Sequence, residues 1–242
     1  MSTKGHRSEP RKTRLARLAI SCVLVLFTLC ADSTLSGENA PQKNQQLPPP
    51  GHQVVVLLDV NANQKKVLPA ELALAQGVIQ KLDQPGNTFW VITFGSQPPG
   101  LLKSGVHADE AIAAIRDVRL EQTSGDYLSV HLYDALNLAF GQFTDDTRPK
   151  SLLVITEGND ARGKMFKQAV ARAQQLQVTC DVAMVADHTF YGPKAIQRYG
   201  FYLRELAGKT RGQYIEVGTR QKKVSRSVDR LSESILGQDR RN

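Results

Sequence analysis

A chain of 242 residues, 41% apolar and 22% charged, has room for one sizeable core, and its composition excludes wholesale disorder. The formal net charge of +8 would suit a nucleic-acid binder, but six Lys/Arg and a single acid fall within residues 1–31, leaving 25 basic against 22 acidic groups in the rest. No basic stripe interleaved with aromatics is left to carry such a role, so nucleic acid is not an expected partner.

Lys4, Arg7, Arg11, Lys12, Arg14 and Arg17 precede the apolar run Leu18–Ala31, LAISCVLVLFTLCA. That run is shorter than the roughly 20 residues a bilayer span needs and fits the h-region of a secretory signal. Small residues between Ala31 and Gly37 supply a cleavage region without a clean A-x-A pattern. Residues 1–36 therefore read as a signal peptide, with an uncleaved single-pass anchor as the alternative. The expected location is outside the cytoplasm, periplasmic or secreted. Cys22 and Cys30 lie in this segment, which leaves Cys180 alone, within an apolar strand pattern and read as a buried small hydrophobe. Residues 37–51 (GENAPQKNQQLPPPG) are a polar, proline-rich linker. Residues 52–237 read as one domain and 238–242 as a polar tail.

Within the domain, strand-like and helix-like segments alternate. Val54–Asp59 (VVVLLD) is nearly continuous in apolar residues, as a strand covered on both faces requires. Leu68, Leu72, Ala75, Ile79 and Leu82 repeat on one face of a helix, which Pro85-Gly86 ends before a second strand, Thr88–Phe94. Ile112, Ile115 and Val118 mark a helix, and Leu132, Leu136 and Ala139 another. A strand at Ser151–Thr156 is followed by a helix through Phe166, Val170 and Ala173. A strand at Val178–Val185 leads to a helix through Ile196, Leu203 and Leu206. A short strand, Gln213–Val217, precedes a helix with Val224, Val228, Leu231 and Ile235 on one face. This order predicts an α/β fold with a doubly wound, mostly parallel central sheet and helices on both faces.

Sites in such sheets form beyond the carboxyl ends of the strands, where strand order reverses. The loop after the first strand reads Asp59-Val60-Asn61-Ala62-Asn63, with oxygen-bearing side chains at alternate positions. The loop after Thr156 reads Glu157-Gly158-Asn159-Asp160. Carboxylates at neighbouring strand ends repel unless a cation or protons intervene. Donors that are all oxygen suit Mg²⁺ or Ca²⁺ better than zinc.

The Asp-led loop after the first strand, the LYDAL helix start and the VITEGND strand end together resemble the von Willebrand factor type A (vWA) domain, in its exported bacterial VWFA-related branch. The resemblance covers about residues 52–237. It implies a Rossmann-like fold and a protein-binding role. It also implies a metal-ion-dependent adhesion site, in which a divalent cation accepts an acidic group from a protein partner. Family members read D-x-S-x-S after the first strand, G-G-T-A-L-Y-D-A before the third helix and D-G-x-D at the later strand end. Here Asp59 matches the leading acid and Asp160 the last, Asn61 and Asn63 replace serines, Glu157 replaces an aspartate and Val130 stands where a threonine ligand belongs. The motif is degenerate, since Val130 offers no oxygen and Glu157 adds a methylene to a site with strict distances. The resemblance thus implies Mg²⁺ or another divalent cation on Asp59, Asn61, Asn63 and Glu157, with a metal-free relic as the alternative. The partner surface it implies adds Ser129, His131 and Asp160.

Catalysis has weak support. His131 neighbours Ser129 in sequence, whereas a catalytic triad draws its members from separate elements, and no G-x-S-x-G elbow is present. No P-loop or dinucleotide fingerprint implies a nucleotide, and no paired CxxC implies zinc. The expectation is a non-enzymatic binding module. The alternatives are a membrane-anchored structural or assembly protein with a metal-free vWA domain, and a hydrolase. Asp187-His188 reads as a solvated loop, Trp90 as core, Tyr133-Asp134 as a helix start, and the basic residues of the last helix as its solvent face.

Overall fold

A computed structural model describes residues 51–61, 65–122, 130–157, 163–185 and 193–237. Twelve elements follow one another among them: β1 (Gln53–Asp59), α1 (Leu68–Lys81), β2 (Thr88–Phe94), β3 (Gly100–Val106), α2 (Ala108–Arg116), α3 (Leu132–Phe140), β4 (Lys150–Thr156), α4 (Gly163–Gln175), β5 (Val178–Val185), α5 (Pro193–Lys209), β6 (Tyr214–Val217) and α6 (Gln221–Leu236).

All seven residues of β1 are buried, because both faces of this strand are covered. Alternation then divides its side chains between two cores. Val54, Val56 and Leu58 face α1, α2 and α6, whereas Val55 and Leu57 face α3, α4 and α5. The strands form one sheet in the order β3-β2-β1-β4-β5-β6. All pairs are parallel except β2 with β3. Order runs outward in both directions from β1, so the switch point lies between β1 and β4.

The doubly wound, mostly parallel architecture matches expectation, with one addition and one correction. β3 is an antiparallel edge strand, largely exposed, with Gly105 at φ +62° beside a shift in its register against β2. The buried face of α1 is also rotated from the stripe read in the sequence. Leu68, Ala75 and Ile79 are buried, but Glu71, Leu74 and Val78 share that face and Leu72 is only partly covered. A tight crossing fixes the entry to the sheet: a Cβ on Gly51 would lie 1.9 Å from the carbonyl carbon of Gly86, itself at φ +89°. Trp90 is core, Cys180 is fully buried, and Val224, Val228, Leu231 and Ile235 form the inner face of α6. No helix among the described residues is long and apolar enough to cross a membrane, and residues 1–50, which hold the expected signal and most of the linker, lie outside them.

Candidate functional site

The switch point brings together the ends of β1 and β4. Asp59 closes β1 and is fully buried. Its Oδ2 accepts the Thr156 hydroxyl at 2.7 Å, and its Oδ1 accepts the Asn61 amide at 3.2 Å. Thr156 is the last residue of β4, and Glu157 follows it, 6% exposed. Asn61 is 4% exposed. The parallel register, with Leu58 opposite Ile155, sets Asp59 and Glu157 at the same edge of the sheet. Of the other expected site residues, Asn63, Ser129 and Asp160 lie outside the described residues, as do Asp187 and His188.

Val130 is buried in the core under α3, so its side chain fills apolar space where a ligand oxygen would stand. His131 begins that helix: its amide donates to the Gly95 carbonyl at 2.9 Å, and its Nδ1 meets Asp134 Oδ2 at 2.7 Å. In the neutral ring the carboxylate holds the proton on Nδ1, which makes Nε2 the acceptor. Tyr133 packs into the core, in keeping with the reading of Tyr133-Asp134 as a helix start.

Two acids at this edge escape a reading of the sequence. Glu71 projects from the buried face of α1 with no exposed surface, and neither carboxyl oxygen has a hydrogen-bond partner among the described residues. Burial, and then the charges of Asp59 and Glu157, push its carboxyl well above the ordinary range. Its spacing from Leu68 (i+3) and Ala75 (i−4) is the signal that could have found it. Glu121 ties the loops together. Its amide donates to the Val60 carbonyl at 3.0 Å, and its carboxylate accepts the amides of Ser96 (2.9 Å) and Gln97 (3.0 Å) and the Ser96 hydroxyl. A Cβ on Gly95 would lie 2.5 Å from Glu121 Oε1, so a larger residue there would displace the Glu121 carboxylate from the loop amides.

By charge, these residues fit a cation: three buried carboxyl groups share one end of the sheet, and one of them has no partner. By ligand count the fit is thinner, since no three His, Cys, Asp or Glu side chains among the described residues stand close enough to hold a metal ion together. A separate cleft of about 810 Å³ opens at the other end of the sheet, bounded by Arg148, Lys150, Lys209 and Arg211. Two of its cations are already engaged, Arg148 with Asp146 and Lys209 with Glu205. Helix carboxyl ends also border it, which opposes an anionic ligand. The strand ends of β1 and β4 are therefore the better candidate.

No family model matches the sequence, and no curated protein matches it. Solved structures do. The conserved hypothetical protein BatB from Bacteroides thetaiotaomicron is 18% identical, with a TM-score of 0.57 over 76% of this chain and 100% of that one. The VWA domain of SpRpn10 is 10% identical, with a TM-score of 0.52 over 74% of this chain and 94% of that one. Proximal thread matrix protein 1 from the mussel byssus, in a form with a zinc-occupied metal-ion-dependent adhesion motif, is 14% identical, with a TM-score of 0.59 over 76% of this chain and 46% of that one. The chain has the vWA fold.

Proposed function

We propose that this chain is a non-enzymatic protein-recognition module that works outside the cytoplasm through the crevice at the carboxyl ends of β1 and β4. The observation that carries the reading is the placement of Asp59 and Glu157 side by side at the switch point, with Thr156 and the Asn61 amide fixing the Asp59 carboxylate. Ligand sites in doubly wound sheets form where strand order reverses, and carboxylates held there by hydrogen bonds are preorganised to receive one.

In this reading a divalent cation, Mg²⁺ or one like it, is held at Asp59, Asn61, Asn63 and Glu157 and accepts a carboxylate from a protein partner. Hydration fills the coordination positions that Val130 leaves unserved. Ser129, His131 and Asp160 border the contact. A vWA-fold protein with zinc in the corresponding motif supports a cation of this charge class. The N-terminal segment exports the module or tethers it.

The test is affinity capture from an envelope extract of the host, with wild-type and Asp59→Ala chains side by side, each with Mg²⁺ or with chelator. Proteins retained by the wild type in Mg²⁺ are expected to be lost with chelator and with Asp59→Ala. Equal retention by both chains would remove the strand-end crevice as the docking surface.

A further inference from the structure

Glu71 matches no position of the adhesion motif, yet it is the least explained buried acid in the described part of the molecule. A carboxylate offers about four acceptor sites and is ordinarily buried only with donors around it. Here both oxygens lack a partner, and the residues that share its helix face, Leu68, Leu74, Ala75 and Val78, are apolar. The other charges acting on it are those of Asp59 and Glu157, both negative. No side-chain cation among the described residues forms an ion pair with it, so nothing described at this end of the sheet uses its oxygens.

We infer that Glu71 is a positioning residue of the cation site: from α1 it supplies negative charge beside Asp59 and Glu157, and its oxygens accept hydrogen bonds from water bound to the ion. The inference rests on the cation reading above and deepens it. Direct ligation is not its role, because Asp59, Glu71 and Glu157 do not converge closely enough to share one ion. A hydrated ion suits this arrangement. Mg²⁺ gives up its waters reluctantly and is commonly held by one or two carboxylates, its remaining positions filled by water. Carboxylates that hydrogen-bond to a metal's bound waters orient them and add to affinity. A helix also holds the carboxyl more firmly than a loop does.

The experiment compares the full-length wild type with Glu71→Gln, Glu71→Leu and Asp59→Ala. Mg²⁺ and Mn²⁺ binding are measured by calorimetry, and thermal melting is followed with chelator and with each ion. The wild type should bind and melt higher with the ion. Glu71→Gln and Glu71→Leu should fold, melt in chelator at or above the wild-type temperature, and bind the ion about 10- to 100-fold more weakly. Asp59→Ala should lose binding. If the Glu71 variants bind like wild type while Asp59→Ala does not, the role of Glu71 is wrong and the cation reading stands. If the wild type binds neither ion, the cation half of the proposed function falls, and this inference with it. Failure of both Glu71 variants to fold also overturns it, because replacing a buried carboxyl that has no hydrogen-bond partner should not destabilise the metal-free protein.

Discussion

The bond from Thr156 to Asp59 carries the geometry of the site, and Thr156→Val isolates it. Valine keeps the branched shape and suits a buried strand, so the change removes a hydroxyl and leaves little cavity. The bond is 2.7 Å long, its acceptor is a carboxylate, and both residues are fully buried. Hydrogen bonds to charged groups contribute roughly 1.5–3 kcal/mol, and burial on both sides favours the middle of that range, about 2 kcal/mol. For a domain of this size that corresponds to a fall in Tm of roughly 4–8 °C. Urea and thermal unfolding in chelator would read it, and a double-mutant cycle with Asp59→Ala would separate the bond from general packing. The expected coupling is on the order of 1–2 kcal/mol. A Tm change under about 1 °C, or coupling below about 0.5 kcal/mol, would mean that Thr156 does not hold Asp59, and the argument for a preorganised carboxylate would fail.

Three further outcomes are expected. Burial pushes the Cys180 thiol up to about 12, so in a chain with Cys22 and Cys30 changed to serine it should resist a thiol reagent at pH 8 and react fully on unfolding. Appreciable labelling of the native chain would contradict its burial. Glu121→Ala should speed amide exchange of Ser96 and Gln97 by about tenfold or more, since both amides lose their acceptor, and unchanged protection would show that the loop holds itself. Gly212→Ala would set a Cβ 2.0 Å from the Cys180 carbonyl oxygen at the start of β6, and it should cost on the order of 3 kcal/mol in denaturant unfolding. Wild-type stability would mean that the backbone yields there.

How much was legible in the sequence depends on what each residue leaves as a trace. β1, β2, β4 and β5 are covered on both faces and so are written as apolar runs. β3 has no such trace: it is an exposed edge, interrupted by Gly105, and shows neither a run nor a clean alternation. Asp59 and Glu157 could be singled out because one ends a buried strand and the other follows one, and strand ends are where a doubly wound sheet places its chemistry. Thr156 passes for an ordinary β-branched strand residue, because only the pairing of β1 with β4 brings its hydroxyl to Asp59. Glu71 was hidden by the richness of α1 in apolar residues, where LPAELALAQGVIQK allows several stripes and an acid looks like solvent face in most of them. Glu121 works through loop amides, which leave no pattern at all.

On the proposed reading, two features that set this crevice apart from the adhesion motif lie on opposite faces of the sheet. Val130, the position without an oxygen, belongs to the core on the α3 face of the sheet. Glu71, the extra carboxyl, comes from α1 on the opposite face. On that reading a ligand oxygen is missing on one side of the β1 and β4 ends, and an acceptor for metal-bound water stands on the other. On the proposed reading the two changes are linked: the ion is held toward α1, by fewer direct ligands and more oriented water. The partner's acidic group would then approach from the α3 side, past His131, where the protein supplies no oxygen of its own from position 130.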